Sequence, residues 1–187
     1  MKKTYLATAL GLALSSSAFA GVNLNAGYQL NSLGPAGENL KTQVATVAAD
    51  YSFDITNTVR VAPGLTYGMG TVDSDIKYDD GKVNFDVKSL AEVYVRVEGD
   101  LVHNVYLFTA PKYSYSKMDI KVEGDKETGD MTVQGYGVDL GAGYKFNKML
   151  SAEVKYGMSK ANVKFEDTKL DDSSVQETVA LNVRYSF

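Results

Sequence analysis

The chain has 187 residues, with 19 Lys and Arg against 23 Asp and Glu, one His, no Cys and no Trp. The absence of Cys excludes a disulfide scaffold, a thiolate metal site and a Cys nucleophile. The acidic balance argues against nucleic-acid binding, which needs a basic surface to neutralise phosphates. After residue 20, no apolar run reaches the roughly 18 residues that a transmembrane helix requires.

Residues 1–20 predict a secretory signal peptide of bacterial type. A basic start precedes a ten-residue apolar run, and Ala18-Phe19-Ala20 supplies the small-residue pattern of a cleavage site. We therefore expect cleavage between Ala20 and Gly21, and export of the mature chain, residues 21–187, at least to the periplasm. The alternative interpretation is a buried N-terminal helix.

The mature chain is dominated by alternation of apolar and polar residues, the pattern of β-strands with one apolar face. In the first such segment, Val22, Leu24 and Ala26 alternate with Asn23 and Asn25. No helical window of comparable strength interrupts the series. The pattern predicts eight strands, at residues 22–31, 45–53, 59–69, 91–98, 105–115, 138–146, 150–158 and 175–187.

The predicted connections alternate in length. Short turns follow the second, fourth and sixth strands, at residues 54–58, 99–104 and 147–149. Longer loops follow the first, third, fifth and seventh strands, at residues 32–40, 71–86, 116–133 and 160–174, and the last three are rich in Asp, Glu and Lys. Short turns on one side and long polar loops on the other are typical of bacterial outer-membrane barrels.

The two faces of the predicted strands differ in chemistry. The polar face carries Asp50, Arg60, Glu92, Arg96, Glu98, Lys112, Asp139, Lys145, Glu153, Lys155 and Arg184. The apolar face ends in aromatic residues near the short turns (Tyr51, Phe53, Tyr144, Phe146, Tyr185 and Phe187) and near the long loops (Tyr67, Tyr113, Tyr115 and Tyr156). Two such aromatic girdles, together with secretion and the sorted loops, favour an apolar face that points outward into lipid.

The residues 183–187, Val-Arg-Tyr-Ser-Phe, and the related segments 49–53 and 142–146 resemble the small eight-stranded outer-membrane barrels, which include the OmpA transmembrane domain and OmpX. The resemblance covers residues 21–187. It implies an all-β, eight-stranded antiparallel up-and-down transmembrane barrel in the bacterial outer membrane, in contact with membrane lipid and lipopolysaccharide. It also implies that Tyr185 and Phe187 form the signal read by the barrel-assembly machinery.

Two prolines depart from a regular strand pattern. Pro63 and Pro111 lie inside predicted strands, where each removes a donor from the hydrogen-bond ladder. Because a closed barrel has no edge strand to accommodate them, we expect local bulges at both positions.

The inward charges predict the interior of the barrel. They comprise six bases and five acids, and eight strands leave an interior that side chains about fill, so the charges must pair or stay wet. The predicted register brings together Asp50 with Arg60, Glu92 with Lys112 directly opposite, Glu153 with Arg184, and Asp139 diagonally with Lys155. This favours a salt-bridged, largely plugged lumen, and the alternative is a narrow porin-like channel for ions or small solutes.

Other candidate sites are weaker. His103, the one candidate imidazole, lies in a periplasmic turn, at the opposite end from the external rim where barrel enzymes work by family analogy, so we expect no catalytic residue. The acidic segments 73–75, 79–81 and 171–172 suggest calcium but fail the EF-hand spacing, so we predict no metal and no cofactor. The glycines at 135, 137, 141 and 143 are expected to make room for Lys and Arg side chains across the lumen.

Three functions follow from this sequence. We favour a structural or interaction protein whose long extracellular loops contact envelope or host molecules. A narrow channel is the second hypothesis. A membrane enzyme, such as a lipid acyltransferase or a protease, is the third, and it is disfavoured by the position of His103.

Overall fold

The computed structural model describes residues 21–34, 40–73, 77–78, 81–122, 128–165, 168–169 and 174–187. The expected signal peptide, with Ala18 and Ala20, lies outside the described residues, and Gly21 is the first residue inside them. Most of the acidic loop segments considered for calcium also lie outside, namely Asp75, Asp79, Asp80, Asp171 and Asp172.

Eight long strands make up the fold. They are β1 (Val22–Gly34), β2 (Leu40–Tyr51), β3 (Val59–Asp73), β4 (Gly81–Val102), β5 (Val105–Val122), β6 (Thr128–Lys145), β7 (Leu150–Phe165) and β8 (Ser174–Ser186). Three two-residue strands add to them: Phe53–Asp54 pairs with β3, Lys77–Tyr78 with β4, and Thr168–Lys169 with β7.

The strands close into a barrel. Each long strand is antiparallel to its sequence neighbours, and β1 pairs with β8 in a register that sets Ala26 opposite Val183. Closure leaves no edge, so backbone donors and acceptors are satisfied inside the sheet, as a membrane interior requires. The predicted eight-stranded antiparallel up-and-down barrel is therefore confirmed. Among the described residues, no helix has the length and apolar character to cross a membrane.

The barrel is apolar outside and polar inside through most of its height. Outward side chains such as Leu65, Val47 and Leu181 are 60–65% exposed, whereas the inward Glu92 and Arg96 are 3% and 5% exposed. A soluble barrel would have the opposite arrangement. Since exposed apolar area is stabilised only against lipid, this face is the one that the bilayer covers.

The strands run farther than the sequence pattern predicts, and the polarity reverses in the added part. Residues predicted as loops, including 116–122 and 160–165, continue β5 and β7. At this end the interior holds an apolar plug made of Leu33, Val44, Val87, Leu90, Met118, Met131, Val133, Ala161 and Val163. Outward positions here carry exposed Lys41, Lys88, Lys117 and Lys164. The barrel thus projects beyond the lipid as a water-facing barrel with an ordinary apolar core.

Tyrosine hydroxyls locate the boundary between these two parts. The outward Tyr113 donates a hydrogen bond to Gln134 at 3.4 Å, and the outward Tyr156 donates one to Glu177 at 3.1 Å. Tyr28 makes the same kind of bond to Gln43. Rings that lie in the apolar band while their hydroxyls reach polar groups are typical of the membrane–water interface.

The prolines do not produce the expected bulges, and this prediction was wrong. At Pro63 the pairing of β2 with β3 stops at Asp50. After a gap of two residues, Phe53–Asp54 resumes the pairing with β3 in the same register. Pro111 interrupts the pairing of β4 with β5 in the same manner. The backbone N–H that each proline lacks therefore interrupts the strand pairing locally but does not shift the register. A bulge occurs instead at Lys88, where the registers of β4 with both neighbours shift.

The first testable consequence of this fold concerns gel mobility. We expect the membrane-extracted mature protein to keep its barrel in cold SDS, because closure pairs every strand on both sides. Its apparent mass on an SDS gel should therefore change on boiling. Identical mobility of boiled and unboiled samples would count against a closed barrel.

Candidate functional site

The lumen holds two buried clusters of charge, one above the other. The arginine cluster, nearer the periplasm, comprises Asp50, Arg96, Glu98, Glu153 and Arg184. The lysine cluster, nearer the middle, comprises Glu92, Lys112, Asp139 and Lys155. Every charge predicted for the lumen has a partner of opposite sign within 3.1 Å.

Arg96 is the centre of the arginine cluster. Its Nη1 and Nη2 donate to the two carboxylate oxygens of Glu153 at 3.0 and 2.8 Å, and its Nε donates to Glu98 at 2.9 Å. The guanidinium lies over the Phe108 ring, 3.7 Å from its centroid. Bidentate pairing and ring stacking together fix Arg96 in one orientation across the barrel.

Arg184 completes the arginine cluster. Its Nη1 donates to Glu98 at 2.7 Å, and its Nη2 donates to Asp50 at 2.9 Å. Asp50 also accepts hydrogen bonds from Asn23 at 2.7 Å and from Tyr94 at 3.2 Å. The cluster therefore joins strands from opposite walls of the barrel through side chains alone.

The lysine cluster is a closed ring of opposite charges. Lys112 Nζ lies 3.1 Å from Glu92 and 2.9 Å from Asp139. Lys155 Nζ lies 2.8 Å from Asp139 and 3.9 Å from Glu92. Two bases and two acids leave the ring neutral, which suits a narrow interior that holds little water.

A wetter third group lies at the periplasmic mouth. Arg60 lies 2.7 Å from Glu98 and 2.9 Å from Asp100, and Lys145 also pairs with Asp100. Their side chains are 25–33% exposed, apart from the buried Glu98. A cavity of about 350 Å³, lined in part by Arg60, Glu98 and Lys145, opens at the mouth.

The structure corrects the pairing predicted for Asp50 and Arg60. Arg60 is opposite Asp54, whereas Asp50 is opposite Gly64, so the two charges lie four residues apart along the barrel wall. The pairing continues through Phe53–Asp54 in a register that differs by four residues from the predicted one. Asp50 pairs with Arg184 instead.

The other predicted pairs are brought together, with two differences in geometry. Glu92 is opposite Ser114, so it reaches Lys112 diagonally and not directly across, because the register differs by two residues from the predicted one. A shift of two keeps every side chain on its predicted face. Glu153 lies 3.5 Å from Arg184 but is held mainly by Arg96.

Three inward aromatic rings were missed by the sequence analysis. Tyr106 and Phe108 lie against Gly143 and Gly141, their direct partners on β6, and a Cβ at either glycine would overlap the ring. These glycines were expected to make room for Lys and Arg chains, and that expectation was wrong: they make room for rings. Tyr94 covers Gly64 in the same way. The alternation of Gly141 and Gly143 was the available signal.

Tyr106 links these rings to the charges. It is 1% exposed, and its hydroxyl donates to Glu153 at 2.7 Å and lies 3.0 Å from Ser151 Oγ. Tyr106 therefore positions the Glu153 carboxylate that accepts the two hydrogen bonds from Arg96.

Little space remains in the lumen between the arginine cluster, the lysine cluster and the apolar plug. A cavity of about 40 Å³, lined partly by Arg96, Phe108 and Lys155, separates the two charge clusters. Another of about 10 Å³ lies among the residues of the apolar plug. Spaces of this size hold at most a few water molecules.

His103 lies exposed in the turn between β4 and β5, in the left-handed region with φ of 46°.

Comparison with solved structures finds the same fold in other bacterial barrels. Neisserial surface protein A matches with a TM-score of 0.59 and 16% identity, over 90% of this chain and 98% of that one. Ail, the attachment invasion locus protein of Yersinia pestis, crystallised with the heparin analogue sucrose octasulfate, matches with a TM-score of 0.58 and 17% identity, over 90% and 99%. No curated protein sequence matches the chain significantly.

The family comparison agrees with the geometry. The model of the outer membrane protein beta-barrel domain matches residues 5–187, nearly the whole chain. Its match agrees with the closed antiparallel barrel, the lipid-facing apolar wall and the girdles of tyrosine. The chain belongs to the family of the outer membrane protein beta-barrel domain, and its location is the bacterial outer membrane.

Proposed function

We propose that this barrel is a closed structural or interaction protein and not a pore. The observation that carries the proposal is the filled lumen, in which two paired charge clusters and an apolar plug follow one another along the axis. An ion crossing this interior would have to break the bidentate bonds of Arg96 and then pass the apolar plug. Both steps are unfavourable, because separating buried charges and bringing water into the apolar plug each cost free energy.

The remaining surfaces are where function would then lie. The lipid-facing wall anchors the chain among outer-membrane lipid and lipopolysaccharide, and the extracellular end is available to envelope or host ligands. Ail with sucrose octasulfate is an instance of a barrel of this fold in complex with a polyanion. We propose no catalytic role, since His103 lies exposed in a periplasmic turn, far from the extracellular end.

Solute flux tests the proposal. Proteoliposomes that contain the refolded mature protein should swell no faster in small sugars or amino acids than protein-free liposomes. Liposomes with a general porin at the same protein ratio provide the positive control. Swelling above the protein-free rate would establish the channel and overturn the proposal.

A second proposal concerns assembly by the barrel-assembly machinery. Phe187 packs edge-on against Tyr185, with 4.8 Å between ring centroids, and Phe146 packs similarly against Tyr144 at 5.4 Å. Replacing either Phe with Ala should cost about 1–2 kcal/mol of stability. If Tyr185 and Phe187 also form the assembly signal, only Phe187→Ala should lower the amount of protein in the outer membrane several-fold.

The matched Phe146→Ala variant makes that comparison decisive, because both rings lie at the periplasmic rim. Membrane fractions are compared by immunoblot, and refolding is compared in detergent. Equal membrane levels of the two variants would remove the assembly role from Phe187.

A further inference from the structure

A basic groove lies on the outside of the barrel, on the extracellular side of the tyrosine girdle that is nearer the long loops. Its outward wall includes Lys88 on β4, Lys117 on β5 and Lys164 on β7, and it encloses about 650 Å³. The register aligns these residues, since Lys117 is opposite Ser89 on one side and Thr132 on the other, and Thr132 is opposite Lys164. Lys117 and Lys164 therefore lie two strands apart, about 9–10 Å between backbones.

The height of the groove matches a lipid headgroup. Lys117 is four residues beyond the girdle residue Tyr113 on the same strand. Four residues of a strand tilted by about 40° rise roughly 10 Å along the membrane normal. Charged groups of outer-leaflet headgroups occupy the zone just outside the apolar band.

The charge of the groove favours an anion. Asp119 lies 2.6 Å from Lys88 and its hydrogen bond raises the pKa of that lysine, so Lys88 is charged but already paired. Asp130 is the other acid that lines the groove. Within the described part of the chain, Lys117 and Lys164 have no carboxylate within 4.0 Å, so their charges are left for a ligand.

The direction of the groove decides which ligand fits. Outward side chains stand perpendicular to the barrel wall, so the groove opens sideways along the membrane and not toward the extracellular medium. We propose that this groove, through Lys117 and Lys164, binds the phosphorylated sugar headgroup of a glycolipid in the outer leaflet. The inference rests on the proposed membrane-resident role but not on closure of the lumen, so the swelling assay and the binding test can fail separately.

Glycolipid binding to the purified, detergent-solubilised barrel tests the site. Native mass spectrometry measures binding of bisphosphorylated lipid A and of the same lipid after dephosphorylation. The double variant Lys117→Gln/Lys164→Gln should bind the phosphorylated lipid about 10- to 30-fold more weakly than the wild type, since each lysine near an anionic lipid contributes up to about fivefold. Lys117→Arg/Lys164→Arg should restore binding.

The control removes the same charge elsewhere. Lys41 faces outward on β2, away from the groove, and Lys148 lies in a periplasmic turn, and both are exposed. Lys41→Gln/Lys148→Gln should leave binding unchanged, and the heat-dependent gel shift shows that each variant is folded. Equal binding of phosphorylated and dephosphorylated lipid, or equal losses in the two double variants, would overturn the inference. A soluble phosphorylated oligosaccharide that binds as tightly as the glycolipid would overturn the assignment to a membrane lipid.

Discussion

Replacing Arg96 with Met should lower the free energy of unfolding of the barrel by about 3–5 kcal/mol, because removing one partner leaves buried carboxylates without compensation. Glu153 would lose its bidentate partner, and Glu98 would lose one of its three cations. Met approximates the length of the side chain and keeps contact with the Phe108 ring. Urea unfolding of protein refolded into lipid vesicles measures the change.

Two further variants make the Arg96 prediction specific. Arg96→Met combined with Glu153→Gln should recover much of the loss, since the unpaired charge is removed as well. Arg60→Met at the wetter mouth, where the side chain is 25% exposed, should cost about 1 kcal/mol or less. A loss below about 1 kcal/mol for Arg96→Met would mean that the lumen holds enough water to screen the pair, which would favour the channel.

Gly143→Ala should destabilise the barrel by about 1–3 kcal/mol, as added atoms do in a filled interior. The new methyl group would overlap the Tyr106 ring, which is 1% exposed and is held in place by its hydrogen bond to Glu153. The ring cannot move aside without disturbing the carboxylate that grips Arg96. Near-ultraviolet circular dichroism should report the displaced tyrosine together with the loss of stability.

Gly99→Ala provides the matched control for that substitution. Gly99 lies in β4, and the nearest atom to an added Cβ is the Thr58 carbonyl oxygen at 3.9 Å. This variant should therefore unfold within about 0.5 kcal/mol of the wild type. If the two variants were equally stable, Tyr106 would not be packed against β6 as described.

The sequence predicts the fold of this chain well, because a period of two assigns each side chain to a face and the alternating turns determine the order of strands. Errors of two residues in register, as at Glu92 and Lys112, leave that assignment intact. The error of four residues at Asp50 and Arg60 also kept both charges inside the barrel, although it gave the wrong partner.

The arrangement inside the lumen could not be predicted in the same way. Arg96 on β4 forms a salt bridge with Glu153 on β7, and these strands are not hydrogen-bonded neighbours. Pairing rules between adjacent strands say nothing of contacts across the barrel, which depend on the length of each side chain and on the rings beside it. The apolar plug was missed for another reason. Six of its nine residues lie in predicted loops, and Val44, Val87 and Leu90 lie between a predicted loop and a predicted strand, whereas the strands of the structure continue through all of them.

Single-channel recording in planar bilayers tests closure of the lumen most directly. With the refolded mature protein in concentrated KCl, we expect no resolved current steps beyond those of a protein-free bilayer, because the paired clusters and the apolar plug fill the axis. Insertion is verified on the same preparation by the heat-dependent gel shift and by vesicle flotation. Steady, reproducible open steps from the wild-type protein would contradict the account and establish a conducting channel.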